Sequence, residues 1–134
     1  MKKTLNIVIV IMVSFFVISS FGSCKKAKEK KIVGNWRLVT EKEPVQGQTI
    51  TYFVFSDDNT VKRITEDTIV ADYSLSSKDF QYYLQINGFD VSFVDLGGKY
   101  RINELSKDIL QITRIELSNG DKVGAFKRLE FIKE

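Results

Sequence analysis

From Ile32 onward, apolar and polar residues alternate with a period of two, and turn-forming residues recur about every ten positions. The clearest unit is Phe80-Gln81-Tyr82-Tyr83-Leu84-Gln85-Ile86, then Asn87-Gly88, then Phe89-Asp90-Val91-Ser92-Phe93-Val94. Asn-Gly between two alternating runs predicts a hairpin, because a tight type I′ turn needs positive φ at both central residues. A two-residue loop would pair Ile86 with Phe89, Leu84 with Val91 and Tyr82 with Phe93, all apolar and all on one face. Ile69, Ala71, Tyr73 and Leu75 alternate in the same way against Val70, Asp72 and Ser74, and Ile32, Gly34, Trp36 and Leu38 share a face at the head of the pattern. Further strands are expected over 49–55, 60–65, 99–105, 108–117 and 123–132. Between them stand turn-forming groups such as Ser56-Asp57-Asp58-Asn59, Ser76-Ser77-Lys78-Asp79 and Ser118-Asn119-Gly120-Asp121. The single proline, Pro44, falls in the longer connection 41–48, where it breaks no ladder.

This gives nine strand candidates and no amphipathic helix. Strands with polar outer faces and hairpin connections predict an all-β fold, an antiparallel up-and-down barrel of about eight strands, with a two-sheet sandwich as the alternative. Closure into a barrel would also remove the unpaired edges that invite aggregation.

The pattern upstream of Ile32 is different. Lys2 and Lys3 precede an apolar run from Ile7 to Ile18, and Ser19-Ser20-Phe21-Gly22-Ser23 lead from it to Cys24. A positive start, a short apolar centre and small residues are the features of a secretory signal peptide. The run is shorter than the roughly 20 residues a spanning helix needs. Gly22-Ser23-Cys24 resembles the lipobox of bacterial lipoproteins, in which the cysteine is diacylglycerated and becomes the mature N-terminus. The resemblance implies lipidation at Cys24 and a location in the cell envelope, lipid-anchored, on the periplasmic face of the outer membrane. Lys25-Lys26 lacks the acidic residues that follow the cysteine in surface-exported lipoproteins of this type. The alternatives are an uncleaved N-terminal anchor and secretion with a free thiol. The expected organisation is a signal peptide over 1–23, a lipidated Cys and basic tether over 24–31, and a barrel domain over 32–134.

Charge changes the picture once it is divided among these parts. The formal net charge is +3, from 20 Lys+Arg and 17 Asp+Glu. Two of the cations lie in the signal segment and five lie in 25–31 with one glutamate, which leaves 13 cations against 16 anions, or −3, in the barrel domain. A mildly acidic domain sent to an envelope offers no footing for nucleic acid. The lysines of 25–31 suit a solvated tether or a contact with anionic headgroups.

Candidate chemistry is sparse. There is no histidine, and one cysteine allows no intrachain disulfide and no paired-cysteine metal site. No Gly-x-Ser-x-Gly elbow is present, and Gly97-Gly98 lacks the pattern and helix of a phosphate loop. Asp57-Asp58-Asn59 has no glutamate at the spacing of a calcium loop and reads as a turn. The expectation is a non-enzyme with no metal and no cofactor.

Ile32-Val33-Gly34-Asn35-Trp36-Arg37-Leu38 resembles the Gly-x-Trp opening strand of lipocalins. Phe53-Val54-Phe55-Ser56-Asp57-Asp58-Asn59-Thr60-Val61, Tyr73-Ser74-Leu75, Tyr100-Arg101-Ile102 and Leu110-Gln111-Ile112 resemble later strands of small bacterial lipocalin-like lipoproteins. The resemblance covers about residues 32–132. It implies that Trp36 plugs the closed end of the barrel beneath an arginine from the last strand, for which Arg128 is the candidate and Arg114 the substitute. It also implies binding of a small hydrophobic molecule within the barrel. Trp36, Phe53, Phe55, Tyr73, Tyr82, Phe93 and Tyr100 are the pocket candidates, and the same aromatics could instead simply make the core. With a filled barrel, the protein would be a structural or protein-interaction module, an inhibitor or a subunit of an envelope complex.

Overall fold

The computed structural model describes residues 24–39, 49–89 and 96–134. The expected signal peptide, the connection 41–48 with Pro44, and Val91 and Phe93 lie outside them. Eight strands follow one another: β1 (Gly34–Leu38), β2 (Tyr52–Phe55), β3 (Thr60–Ile64), β4 (Thr68–Lys78), β5 (Gln81–Asn87), β6 (Gly98–Leu105), β7 (Ile109–Glu116) and β8 (Lys122–Lys133). Each pairs antiparallel with its neighbours in sequence, and β8 closes the ring on β1 through Trp36↔Lys133, Arg37↔Ile132 and Leu38↔Phe131. The sheet is therefore an up-and-down barrel and not a sandwich.

Period-two alternation sets which way each side chain points. Along β4, Ala71, Tyr73 and Leu75 are buried, while Val70, Asp72 and Ser74 face out. Along β5, Leu84 and Ile86 enter the core and Tyr82 packs against its rim. Along β8, Leu129 and Phe131 face in, while Arg128, Glu130 and Ile132 face out.

The expected 80–94 hairpin is not formed. Ile86 pairs with Tyr73 and Gly98, and Leu84 with Leu75 and Tyr100, so both edges of β5 are taken by β4 and β6. The tight hairpin lies one strand earlier. Lys78 pairs with Gln81 across a two-residue loop in which both Asp79 (φ 52°) and Phe80 (φ 62°) are left-handed. Asn87-Gly88 instead ends β5, where Gly88 (φ 108°) turns the chain and Phe89 enters the core, fully buried. Phe80 thus belongs to a turn and not to a strand.

The described chain opens in a helix over 24–32, where a solvated tether was expected. Its last residue, Ile32, is fully buried in the core and belongs to the helix, not to the first strand. The helix precedes β1 and lies at the barrel end where β2 passes to β3, β4 to β5 and β6 to β7. This is the helix end. The connections β1–β2, β3–β4, β5–β6 and β7–β8 gather at the other, the loop end.

Candidate functional site

The barrel interior is the first place to look for a site, and its described part holds a cluster of aromatic side chains in mutual contact. Phe53 on β2 is the hub, with ring centroids 5.0 Å from Phe131, 5.5 Å from Phe89 and 6.3 Å from Phe55. Phe55 meets Tyr73 edge-on at 5.0 Å. These are contact distances for rings, worth roughly 0.5–1.5 kcal/mol each beyond the burial itself. Trp36, Phe53, Phe55 and Tyr100, all expected inside, are fully or almost fully buried, as are Phe89 and Phe131. Tyr73 is buried with its hydroxyl donating to the Ser56 carbonyl at 2.8 Å, and Tyr100 donates to the carbonyl of Leu96. The two hydroxyls are thus engaged by backbone. Burial, with the negative charges of Glu29, Asp58 and Asp57 beyond it, pushes the Tyr73 hydroxyl above its ordinary pKa. Tyr82 is half-buried at the rim, with Lys28 of the helix 5.5 Å from its ring centroid.

Trp36 closes the helix end by joining three elements. Its Nε1–H donates to the Ile32 carbonyl at 2.6 Å, one of the acceptors left over at a helix C-terminus. Lys133, the last residue of β8, lies with its Nζ 5.0 Å from the Trp36 ring centroid. The same ammonium donates to the carbonyls of Val33 (2.8 Å) and Lys31 (3.1 Å). A cation at this place interacts with the ring face and with the negative end of the helix together.

The cation over the tryptophan is therefore Lys133 and not Arg128. Arg128 is exposed on the outer face and donates to the Gln111 side chain. The reason is strand parity: Leu129 and Phe131 point inward, so Lys133 does too, and Arg128 must point out. Arg114 is buried, but it serves the loop end, with its guanidinium 6.0 Å from the Tyr100 ring centroid and a hydrogen bond to the Gly97 carbonyl. Parity along β8 was the signal that would have selected Lys133, and it would also have added Phe131 to the inward aromatics.

The remaining sequence motifs take structural roles. Asp58 accepts from the Thr60 amide (3.0 Å) and hydroxyl (2.6 Å), which holds its carboxyl below the usual range and fixes the β2–β3 turn. Gly98 (φ 108°) lets β6 approach β7 so closely that an added Cβ would overlap the Glu116 carbonyl oxygen and stand 2.8 Å from the Leu117 carbonyl carbon.

Grooves large enough for a small molecule lie outside, at the helix end. One of about 370 Å³ runs between the helix and the β2–β3 turn, lined by Lys26, Glu29, Lys30, Asp57 and Asn59 with Tyr73. Another, of about 490 Å³, runs past Cys24, Ser77, Lys78, Asp79, Phe80 and Tyr82. Cys24 is exposed. No protein-family model matches the chain, and no curated protein matches it.

Proposed function

We propose that this protein is a lipid-anchored, non-catalytic, lipocalin-like barrel of the bacterial cell envelope that works through its outer surface as an interaction module. The observation that carries this reading is the aromatic cluster around Phe53, whose rings are in mutual contact inside the barrel. A small-molecule pocket of the usual kind has a volume of about 300–1,000 Å³. A pocket of that size at the place of these rings would require them to part, at a cost in lost packing. A carrier of small hydrophobic molecules is the competing function. Titration with a lipophilic fluorophore, followed through the emission of Trp36, separates the two. Absence of saturable binding supports the interaction module, and a saturable change in Trp36 emission supports the carrier.

The signal-like segment, the place of Cys24 directly after Gly22-Ser23 and the exposure of that cysteine support the anchor. Two or more acyl chains give stable attachment where one does not. Lys25-Lys26 directs the barrel to the periplasmic face of the outer membrane in this reading. Metabolic palmitate labelling tests it: label is expected on the natural chain and not on Cys24→Ala, and an unlabelled natural chain contradicts the anchor.

A further inference from the structure

Phe80 is the most exposed large apolar side chain described, with 95% of its surface in water. It also sits at φ 62°, a conformation that bulky residues rarely adopt and that Gly or Asn would hold at lower cost. Folding gains little from a phenylalanine there, since the side chain buries almost no area and strains its own backbone. Three features surround it. Cys24 lines the same groove as Phe80, together with Tyr82. Lys28 stands with Phe80 along the adjoining groove of about 460 Å³, and Lys78 lies two residues before it. Lys25, Lys26, Lys30 and Lys31 are exposed on the helix, against the single Glu29.

We infer that the tip of the β4–β5 hairpin, Phe80, inserts into the interfacial layer of the bilayer and, with the basic helix beside it, seats the helix end of the barrel on the membrane that holds the anchor. This deepens the proposed function and rests on the anchor at Cys24. A lone exposed aromatic next to an acyl chain enters the headgroup region, while lysines around it meet anionic lipid. The two contacts give the barrel one orientation: helix end down, loop end away from the membrane. A flexible leash would leave orientation free. The helix over 24–32, tied to Trp36 and Lys133, does not.

The test uses the full chain in vesicles of phosphatidylethanolamine and phosphatidylglycerol, with and without brominated phosphatidylcholine. Phe80→Trp adds a second indole at the tip, and the natural Trp36, fully buried, supplies the baseline. The added emission is expected to be lost largely to the brominated acyl chains and to be shielded from iodide in solution. Val70→Trp, on the outer wall at the start of β4, should be unaffected by bromine and open to iodide. Equal response of the two variants, or a Phe80→Trp signal that ignores bromine and is quenched by iodide, overturns the docking. Palmitate incorporation is read on the same protein. A labelled chain with no bromine quenching overturns the docking and leaves the anchor standing. An unlabelled chain with quenching overturns the anchor and leaves the docking standing.

Discussion

Lys133 carries more of the barrel's stability than its place at a strand end suggests. Its ammonium faces the Trp36 ring and two carbonyls at the end of the helix. A cation over an indole contributes roughly 0.5–2 kcal/mol, and a cation at a helix C-terminus a further 0.3–1 kcal/mol. Lys133→Met is therefore expected to lower the unfolding free energy by about 1–2 kcal/mol in urea denaturation. Arg128→Ala, which removes an exposed side chain bonded to Gln111, should change it by no more than about 0.5 kcal/mol. Glycine at 98 is equally specific to its place. Gly98→Ala forces a Cβ onto the backbone of Glu116 and Leu117 at positive φ, with an expected loss of about 3 kcal/mol or more in the same assay. Phe80→Gly should do the reverse and raise stability by about 1 kcal/mol, because it relieves a left-handed aromatic that packs against nothing. A drop in Tm for Phe80→Gly would contradict that account.

Among the elements, β4 and its partners show how stability will respond to pH. The Tyr73 hydroxyl, buried and bonded to Ser56, titrates above its ordinary value of 10.0. Above that pH the unfolded chain releases the proton while the folded chain keeps it, so stability falls as pH rises until the folded group ionises as well. Tyr73→Phe should flatten this alkaline decline while costing about 1 kcal/mol at neutral pH for the lost hydrogen bond, both measurable as the denaturant midpoint across pH 9–12. The alternation of Ala71, Tyr73 and Leu75 was plain in the sequence because each outward neighbour is solvated and each inward one meets the core. The hairpin partner of β5 was not. Asn87-Gly88 has the composition of a tight turn, yet its positive φ serves to send Phe89 inward. The true turn is Asp79-Phe80: of the expected turn group Ser76-Ser77-Lys78-Asp79 the first three residues extend β4, and phenylalanine is a residue that local propensity would not place in the turn. The helix over 24–32 was hidden for a related reason: a run of lysines has no apolar stripe, and its single anchor in the core is Ile32 at the end. Trp36 was legible as the closing aromatic. The lipocalin resemblance implies an arginine, Arg128, as its cation, whereas parity along β8 points to Lys133.

On the scale of the whole molecule, charge and core divide the protein into a basic helical foot and an acidic barrel around an aromatic centre. The foot, 25–31, holds five lysines and one glutamate, and the domain from Ile32 carries a charge of −3. The core depends on Phe53, which touches Phe55, Phe89 and Phe131. Phe53→Ala should cost about 3–5 kcal/mol, a large share of the roughly 5–15 kcal/mol that holds a domain folded, and calorimetry should show a correspondingly lowered Tm. The same aromatic cluster is what favours the proposed role of the outer surface over that of the interior. Native mass spectrometry of the protein purified in mild detergent from the cells that make it tests this claim most directly. The predicted spectrum shows the chain with no small molecule held noncovalently. A stoichiometric small hydrophobic molecule, lost on collisional activation and restored on adding it back, would contradict it.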